Sequence, residues 1–196
     1  MEVKLLTSHN TISDMMQFAA LAALTCHDNT DKDVEPKELL IRIIKAWHDS
    51  ILEHIYFTYS VKGISRALLQ ELARHRHISL SVESTRHTLR KQLNKPKVLS
   101  TADFDKYGGF GNMLSIVKRI ADEYPDMPND LLKYYIPEFW PTNLVLSTNV
   151  RELRHILKLR THPSALLEFR TLGIELFSRV PDEFKYLLDD CVYIGG

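Results

Sequence analysis

Arg74-His75-Arg76-His77-Ile78-Ser79-Leu80-Ser81-Val82-Glu83-Ser84-Thr85-Arg86 carries three arginines, two histidines and three serine hydroxyls within thirteen residues. Ile78, Leu80 and Val82 alternate with Ser79, Ser81 and Glu83, the period of an extended segment with one wet or ligand-facing side. Just before it, Ile64, Ala67, Leu68 and Leu72 recur at helical spacing, so a helix delivers Glu71 and Arg74 at its C-terminal end. A helix feeding directly into a strand is the junction on which the fold reading turns. Its chemistry is as marked as its periodicity. Arginine presents a rigid fork of donors that fits phosphate, and serine hydroxyls supply further partners for phosphate oxygens. The run predicts an anion site of the kind that holds a nucleotide.

Upstream, Ile55-Tyr56-Phe57-Thr58-Tyr59-Ser60-Val61 is rich in aromatic and β-branched residues and predicts a strand, which Gly63 should end. Residues 2–7 alternate weakly and suit a first strand. Thr11-Ile12-Ser13-Asp14 can cap a helix carrying Met15, Met16, Phe18, Ala19, Ala22 and Ala23. Pro36 suits the first turn of a helix through Leu39, Leu40, Ile43, Ile44 and Trp47. Met15, Met16, Tyr56, Phe57 and Tyr59 read as core.

Downstream, residues 94–112, with Pro96 and Gly108-Gly109-Phe110-Gly111, read as loop, and 113–124 and 129–135 read as helical. Asn149-Val150-Arg151-Glu152 predicts a helix start, with Asn149 as cap and Glu152 as its reciprocal partner. That helix runs to about Thr161 with Leu153, Ile156 and Leu157 as its core stripe. Arg160 falls on the same stripe, seven residues after Leu153. An unpaired charge on an apolar face is strongly disfavoured. An internal salt bridge, a snorkelling stem or an anionic ligand would each resolve it, and the run at 74–86 favours the ligand. Strands and helices mix without regular alternation, so the class is α+β: a mixed sheet flanked by helices, in a single domain spanning 1–196.

Bulk properties narrow the function. With 196 residues, 44% hydrophobic and 26% charged, the chain is long enough for a proper core. A formal net charge of zero argues against a general nucleic-acid or membrane-surface binder. Positive charge is local, at 74–91 and 151–160, which points to a small anionic ligand. An RNA-binding module built on 74–91 is the competing reading, and the lack of an aromatic RNP-like motif counts against it. No apolar run is long enough to span a membrane, no signal peptide is evident, and two cysteines, Cys26 and Cys191, suit a cytoplasmic setting. Neither cysteine has the sequence context of an activated nucleophile. His75, His77 and His87 lack HExxH or CxxC company, so no metal site is expected. There is no GxGxxG, and the glycine cluster at 108–111 lacks the Lys-Ser/Thr of a P-loop.

The run at 74–86 also matches RHRxxSxxxxSxR, the signature of the flavin-dependent thymidylate synthases, at Arg74, His75, Arg76, Ser79, Ser84 and Arg86. Asn149, Arg151 and Arg160, together with His48-Asp49-Ser50-Ile51-Leu52-Glu53-His54, extend the resemblance over about residues 46–170. It implies methylation of dUMP to dTMP, with 5,10-methylenetetrahydrofolate as carbon donor and FAD, re-reduced by NADPH, as hydride source. It implies a homotetramer whose flavin sites form between subunits. By position, Glu71, Arg74, Val82, Ser84, Arg86, Lys133 and Arg160 resemble the dUMP-binding residues, Arg160 being the catalytic one that stabilises the uracil anion. Ser50, Arg74, His75, Arg76, Asn149, Arg151 and His155 resemble the FAD-binding residues, and His48 one near the folate and flavin rings. Lys133 stands where the family often has arginine, Val82 where a polar residue is common and His155 where some members have asparagine. A family member that has lost methyl transfer is the remaining alternative.

Overall fold

The computed structural model describes residues 1–94 and 109–193. In chain order these form β1 (Glu2–Leu5), α1 (His9–Thr25), α2 (Pro36–Lys45), a 3-10 turn (Asp49–His54), β2 (Tyr56–Ser65), α3 (Arg66–Leu72), β3 (Ile78–Val82) and α4 (Thr85–Asn94). Then come α5 (Gly109–Glu123), α6 (Asn129–Leu132), β4 (Pro141–Asn149), α7 (Val150–Arg160) and α8 (Leu167–Ser178), with short 3-10 turns at Lys133–Tyr135, Asp182–Leu187 and Asp189–Cys191. The four strands form one sheet in the order β1-β2-β4-β3. The α+β class holds. Every pairing is antiparallel, where the sequence reading expected a mixed sheet. The physical reason is that β4 inserts between β2 and β3, so the strands flanking α3 never pair directly.

Several local readings are adjusted. Ser8 rather than residues 11–14 caps α1, its Oγ accepting from the Thr11 amide at 3.2 Å. The buried face of α1 is Ile12, Met16, Ala19, Ala20 and Ala23, leaving Phe18 62% exposed. Pro36 opens α2 as expected, but Glu35 supplies the cap and the helix ends at Lys45. Trp47 therefore leaves the core stripe. It takes a left-handed backbone (φ 61°), is largely exposed, and lies beneath Lys158 Nζ at 5.2 Å. Tyr56 is exposed while Phe57 and Tyr59 are buried. Gly63 does not end β2. It sits inside the strand at φ +70°, a conformation costly to residues with a Cβ, and its amide donates to Asn143 Oδ1 at 3.1 Å. Of the expected loop at 94–112, residues 95–108 lie outside the described ones, and the helix expected at 113 begins at Gly109. Helix α8 carried no forecast.

The chain divides into two compact units. The first comprises Met1–Glu2, Val61–Arg74 and Ser81–Leu144; the second comprises Val3–Ser60, His75–Leu80 and Val145–Gly196. In the first, Leu89, Leu93, Val117, Ala121, Leu132 and Trp140 make a cluster under α4, α5 and α6. In the second, α7 packs on α8 through a face that includes Leu153, Ile156, Leu157, Phe169 and Leu172, all fully buried. Each such side chain contributes about 2 kcal/mol by leaving water. Gly173 permits this approach, since a Cβ there would lie 2.8 Å from Thr161 Cγ2. Thr161 cannot easily turn aside, because its Oγ1 donates to the Leu157 carbonyl and accepts from the Tyr193 amide. Among the described residues no helix is long and apolar enough to cross a membrane.

Candidate active site

In the first unit, the polar half of the 74–86 run is held by a network that no short-range sequence signal announced. Glu83 accepts from Asn143 Nδ2 at 2.6 Å and from Gln92 Nε2 at 2.9 Å, and Gln92 in turn accepts from buried Trp140 Nε1. The Glu83 amide also donates to the Asn143 carbonyl at 2.8 Å. Glu83 is thus tied at backbone and side chain, directly before Ser84 at the start of α4. Ser84 and Arg86 are exposed and Val82 half-buried.

Arg86 makes a two-pronged pair with Asp130, Nε to Oδ1 at 2.6 Å and Nη2 to Oδ2 at 3.0 Å. The hydrogen bond from Arg86 holds Asp130 below the ordinary carboxylate range, and Lys133 and His87 act in the same direction. Asn129 Nδ2 donates to the Arg86 carbonyl at 2.8 Å, fixing the other end of the pair. The structure therefore brings Arg86 and Lys133 around one carboxylate, a position where a phosphate could replace Asp130 on the same donors. Glu71 and Arg74 form a separate, loose pair at 3.5 Å, with the Arg74 side chain 72% exposed.

The second unit holds the rest. Asn149 caps α7 as expected, its Oδ1 accepting from the Glu152 amide at 2.8 Å. The reciprocal half of the capping box is absent. Glu152 turns its carboxylate away to His75 Nδ1 at 3.0 Å, and both side chains are nearly fully buried. Arg160 donates from Nε to His75 Nε2 at 3.1 Å, with its guanidinium 4.8 Å from the Phe169 ring centre. The protonation state of His75 follows. Arginine cannot accept, so Nε2 carries the lone pair, and Nδ1–H donates to Glu152. Burial pushes His75 below the ordinary imidazole value and the Arg160 charge adds to this, against the opposing pull of Glu152.

Arg160 does lie on the face of Leu153, at its half-buried C-terminal end. A buried salt bridge that the sequence reading missed is made by Arg154 on the same helix. Arg154 is 2% exposed and reaches Asp190 through two bonds of 2.7 Å and the Leu187 carbonyl at 2.6 Å. Its place in the stripe with Val150, Leu153 and Leu157 was available as a signal; a partner 36 residues away was not.

Beside this helix is a cavity of about 480 Å³ whose walls include His77, Asn149, Arg151, Glu152, His155 and Lys158. Arg151 pairs with Glu53 across part of it. Asp49 also lines it and has a buried Oδ1 without a hydrogen-bond partner, an acceptor suited to a ligand hydroxyl or amine. Ser50 and His48 face elsewhere, lining a second cavity of about 450 Å³ with Leu39, Arg42 and Ile43. Arg76 is exposed, while His75 is buried with both ring nitrogens engaged. Of the cofactor set expected from the sequence, Asn149, Arg151 and His155 line the first cavity, whose walls mix carboxylates and cations. Ser50 lines the second, and Arg74, His75 and Arg76 are not among the lining residues of either.

Ligand atoms of His75, Glu152 and His155 lie within 4.8 Å of one another, a grouping not expected from the sequence. The Arg160 charge on His75 Nε2 opposes a cation there. Cys191 is buried, which pushes its thiol up to about 12, far from a reactive thiolate, and Cys26 is exposed.

The chain is similar to known proteins along nearly its whole length. The family model described as thymidylate synthase complementing protein matches residues 5–184. The flavin-dependent thymidylate synthase of Helicobacter pylori is 36% identical, covering 90% of this chain and 94% of its own length. That of Campylobacter jejuni is also 36% identical, over 88% of this chain and 90% of its own. The crystal structure of flavin dependent thymidylate synthase ThyX from Helicobacter pylori complexed with FAD and dUMP superposes with a TM-score of 0.84. It has 32% sequence identity and covers 98% of this chain and 100% of that one.

Proposed function

This chain belongs to the flavin-dependent thymidylate synthase family, and from that premise we propose that it converts dUMP to dTMP. The carbon donor is 5,10-methylenetetrahydrofolate and the reductant NADPH, acting through FAD. The observation that carries the reading is the connected set on α7. Asn149, Arg151 and His155 line a polar cavity, and Glu152 in its wall is bonded through His75 to Arg160.

The donor set fits FAD. Arg151 and Lys158 offer cationic groups for a pyrophosphate and His155 a ring nitrogen, while the partnerless Asp49 Oδ1, beside Glu53 and Glu152, offers an acceptor for a nucleoside hydroxyl or amine. Ser50, Arg74, His75 and Arg76 complete the FAD-binding set by resemblance, with His48 near the folate and flavin rings. Bound flavin would supply the hydride that takes the transferred carbon to the methyl level.

The chain's own residues do the rest. Arg74, Ser84, Arg86 and Lys133 hold the phosphate, Glu71 accepts from the ribose or base, and Val82 contributes its backbone. A guanidinium has no lone pair to accept a proton with, so the role of Arg160 is electrostatic: it stabilises negative charge developing on the uracil ring. The buried Cys191 thiol is held far from a thiolate, and in this reading charge stabilisation by Arg160 stands where a covalent nucleophile would otherwise act. We place the flavin sites between subunits of a homotetramer, to be checked by light scattering.

The test is the absorption spectrum of purified protein, then tritium release from C5-labelled dUMP with methylenetetrahydrofolate and NADPH. A flavin band with release is expected; protein that stays colourless after added FAD contradicts the reading. Within it, Arg86→Ala should raise KM for dUMP by about tenfold or more and leave FAD affinity nearly unchanged. Equal losses for both ligands would show that Arg86 does not belong to the nucleotide set.

A further inference from the structure

We infer that Glu152 and His75 are positioning residues for Arg160, acting as a carboxylate–imidazole–guanidinium chain that aims the Arg160 fork. The inference rests on the reading of Arg160 as the residue that stabilises the uracil anion. Its basis is geometric. His75 Nδ1 meets Glu152 at 3.0 Å, Nε2 meets Arg160 Nε at 3.1 Å, and the ring stands edge-on to Phe169, with centroids 5.9 Å apart. Relative exposures of 6% for His75 and 9% for Glu152 leave the pair little freedom to rotate. Arginine on a flexible stem loses aim easily; a neutral imidazole that can only accept at Nε2 fixes one edge of its plane. Glu152 selects that tautomer, as outer-layer carboxylates do for ligating histidines. Phe169 supports the guanidinium from below.

The arrangement carries its own pH signature. The charged or titratable groups acting on His75 include Glu152, His155 and Arg160 on α7; α8 sets the Phe169 ring against it, flanked in sequence by buried Glu168 and half-buried Arg170. Protonation of His75 puts a hydrogen on Nε2, and the Arg160 bond is lost. Turnover should therefore fall on the acid side as pH drops through the lowered His75 value.

Three variants test this, each checked for flavin absorbance and thermal midpoint, with kcat and KM measured across pH. His75→Phe removes the acceptor, and kcat should fall by about 100-fold with dUMP KM changed less than about threefold. His75→Gln restores an oxygen acceptor near the Nε2 position, and should recover about tenfold of that loss and lack the acid limb. Glu152→Gln keeps an oxygen for Nδ1–H but removes the charge that raises His75, so the acid limb should move to lower pH. If His75→Phe fails to fold, the two glutamine variants decide. An acid limb unchanged in both, or His75→Phe turning over within about threefold of wild type, overturns the inference. Arg160→Ala is the control that separates the two claims. If it is inactive while the His75 and Glu152 variants behave as wild type, the positioning chain is wrong and the role of Arg160 stands. If Arg160→Ala itself turns over normally, the functional reading of Arg160 fails.

Discussion

Arg160→Ala should lower turnover by about 10³-fold, the scale seen when one preorganised donor to a developing anion is removed. The loss should fall on kcat more than on KM, because the interaction strengthens only as charge builds on the ring. Folding should survive. Arg160 is half-buried at the C-terminal end of α7, and the contacts its truncation removes include the bond to His75 and the stacking on Phe169. Those contribute together about 2 kcal/mol, a modest share of a domain's stability. Tritium release, flavin absorbance and a thermal melt on the same preparation separate the possibilities. Arg160→Lys keeps charge but loses the fork, so it should recover only about tenfold. Near-normal turnover by the alanine variant would remove Arg160 from the chemistry.

Asp190→Ala should be the more damaging change for stability. It leaves the Arg154 guanidinium, 2% exposed, without its two-pronged partner. Breaking a wholly buried pair from one side costs about 3–5 kcal/mol. The Asp190 side chain is 49% exposed, so water recovers part of this, leaving about 2 kcal/mol. In a chain of this length that lowers the thermal midpoint by about 6 °C. Arg154→Met with Asp190→Leu should be less destabilised than Asp190→Ala alone, since no charge is then stranded. A midpoint unchanged in Asp190→Ala would contradict this account. The pH dependence follows the same pair. Burial is the largest single influence and would raise Asp190, but the hydrogen bond and charge of Arg154, with Cys191 and Lys158, together outweigh it and hold the carboxyl low. Its contribution is complete above the ordinary carboxylate value and is lost only as pH falls through the lowered one.

Three elements near the site were legible because their causes are local. Asn149 caps α7 as read, since a cap needs only a side chain three residues from an amide. Strand β3 runs over Ile78–Val82 with alternating burial, since the pleat alone sets that period. Pro36 opens α2 because its fixed φ suits a first turn. The errors are local competitions decided from afar. Gly63 reads as a breaker, but Asn143 on β4 supplies a partner for its amide and the strand continues. Glu152 reads as the second half of a capping box, and a buried imidazole 77 residues earlier in the chain takes its carboxylate instead.

The sequence by itself determined the local features the chain carries: three arginines and three serines within the run at 74–86, and a capped helix bearing Arg151, His155 and Arg160. Periodicity, capping and residue type are properties of a few neighbouring residues, so they survive without a fold. Only the tertiary structure decided which charge answers which. Arg154 closes on Asp190, Arg86 on Asp130, and Arg160 on His75 with Glu152 behind it. Those pairings span tens of residues. Arg86 and Asp130 meet at the surface, whereas burial makes the Arg154 and His75–Glu152 pairings obligatory: a desolvated polar group must find whichever partner the packing of helices and strands delivers.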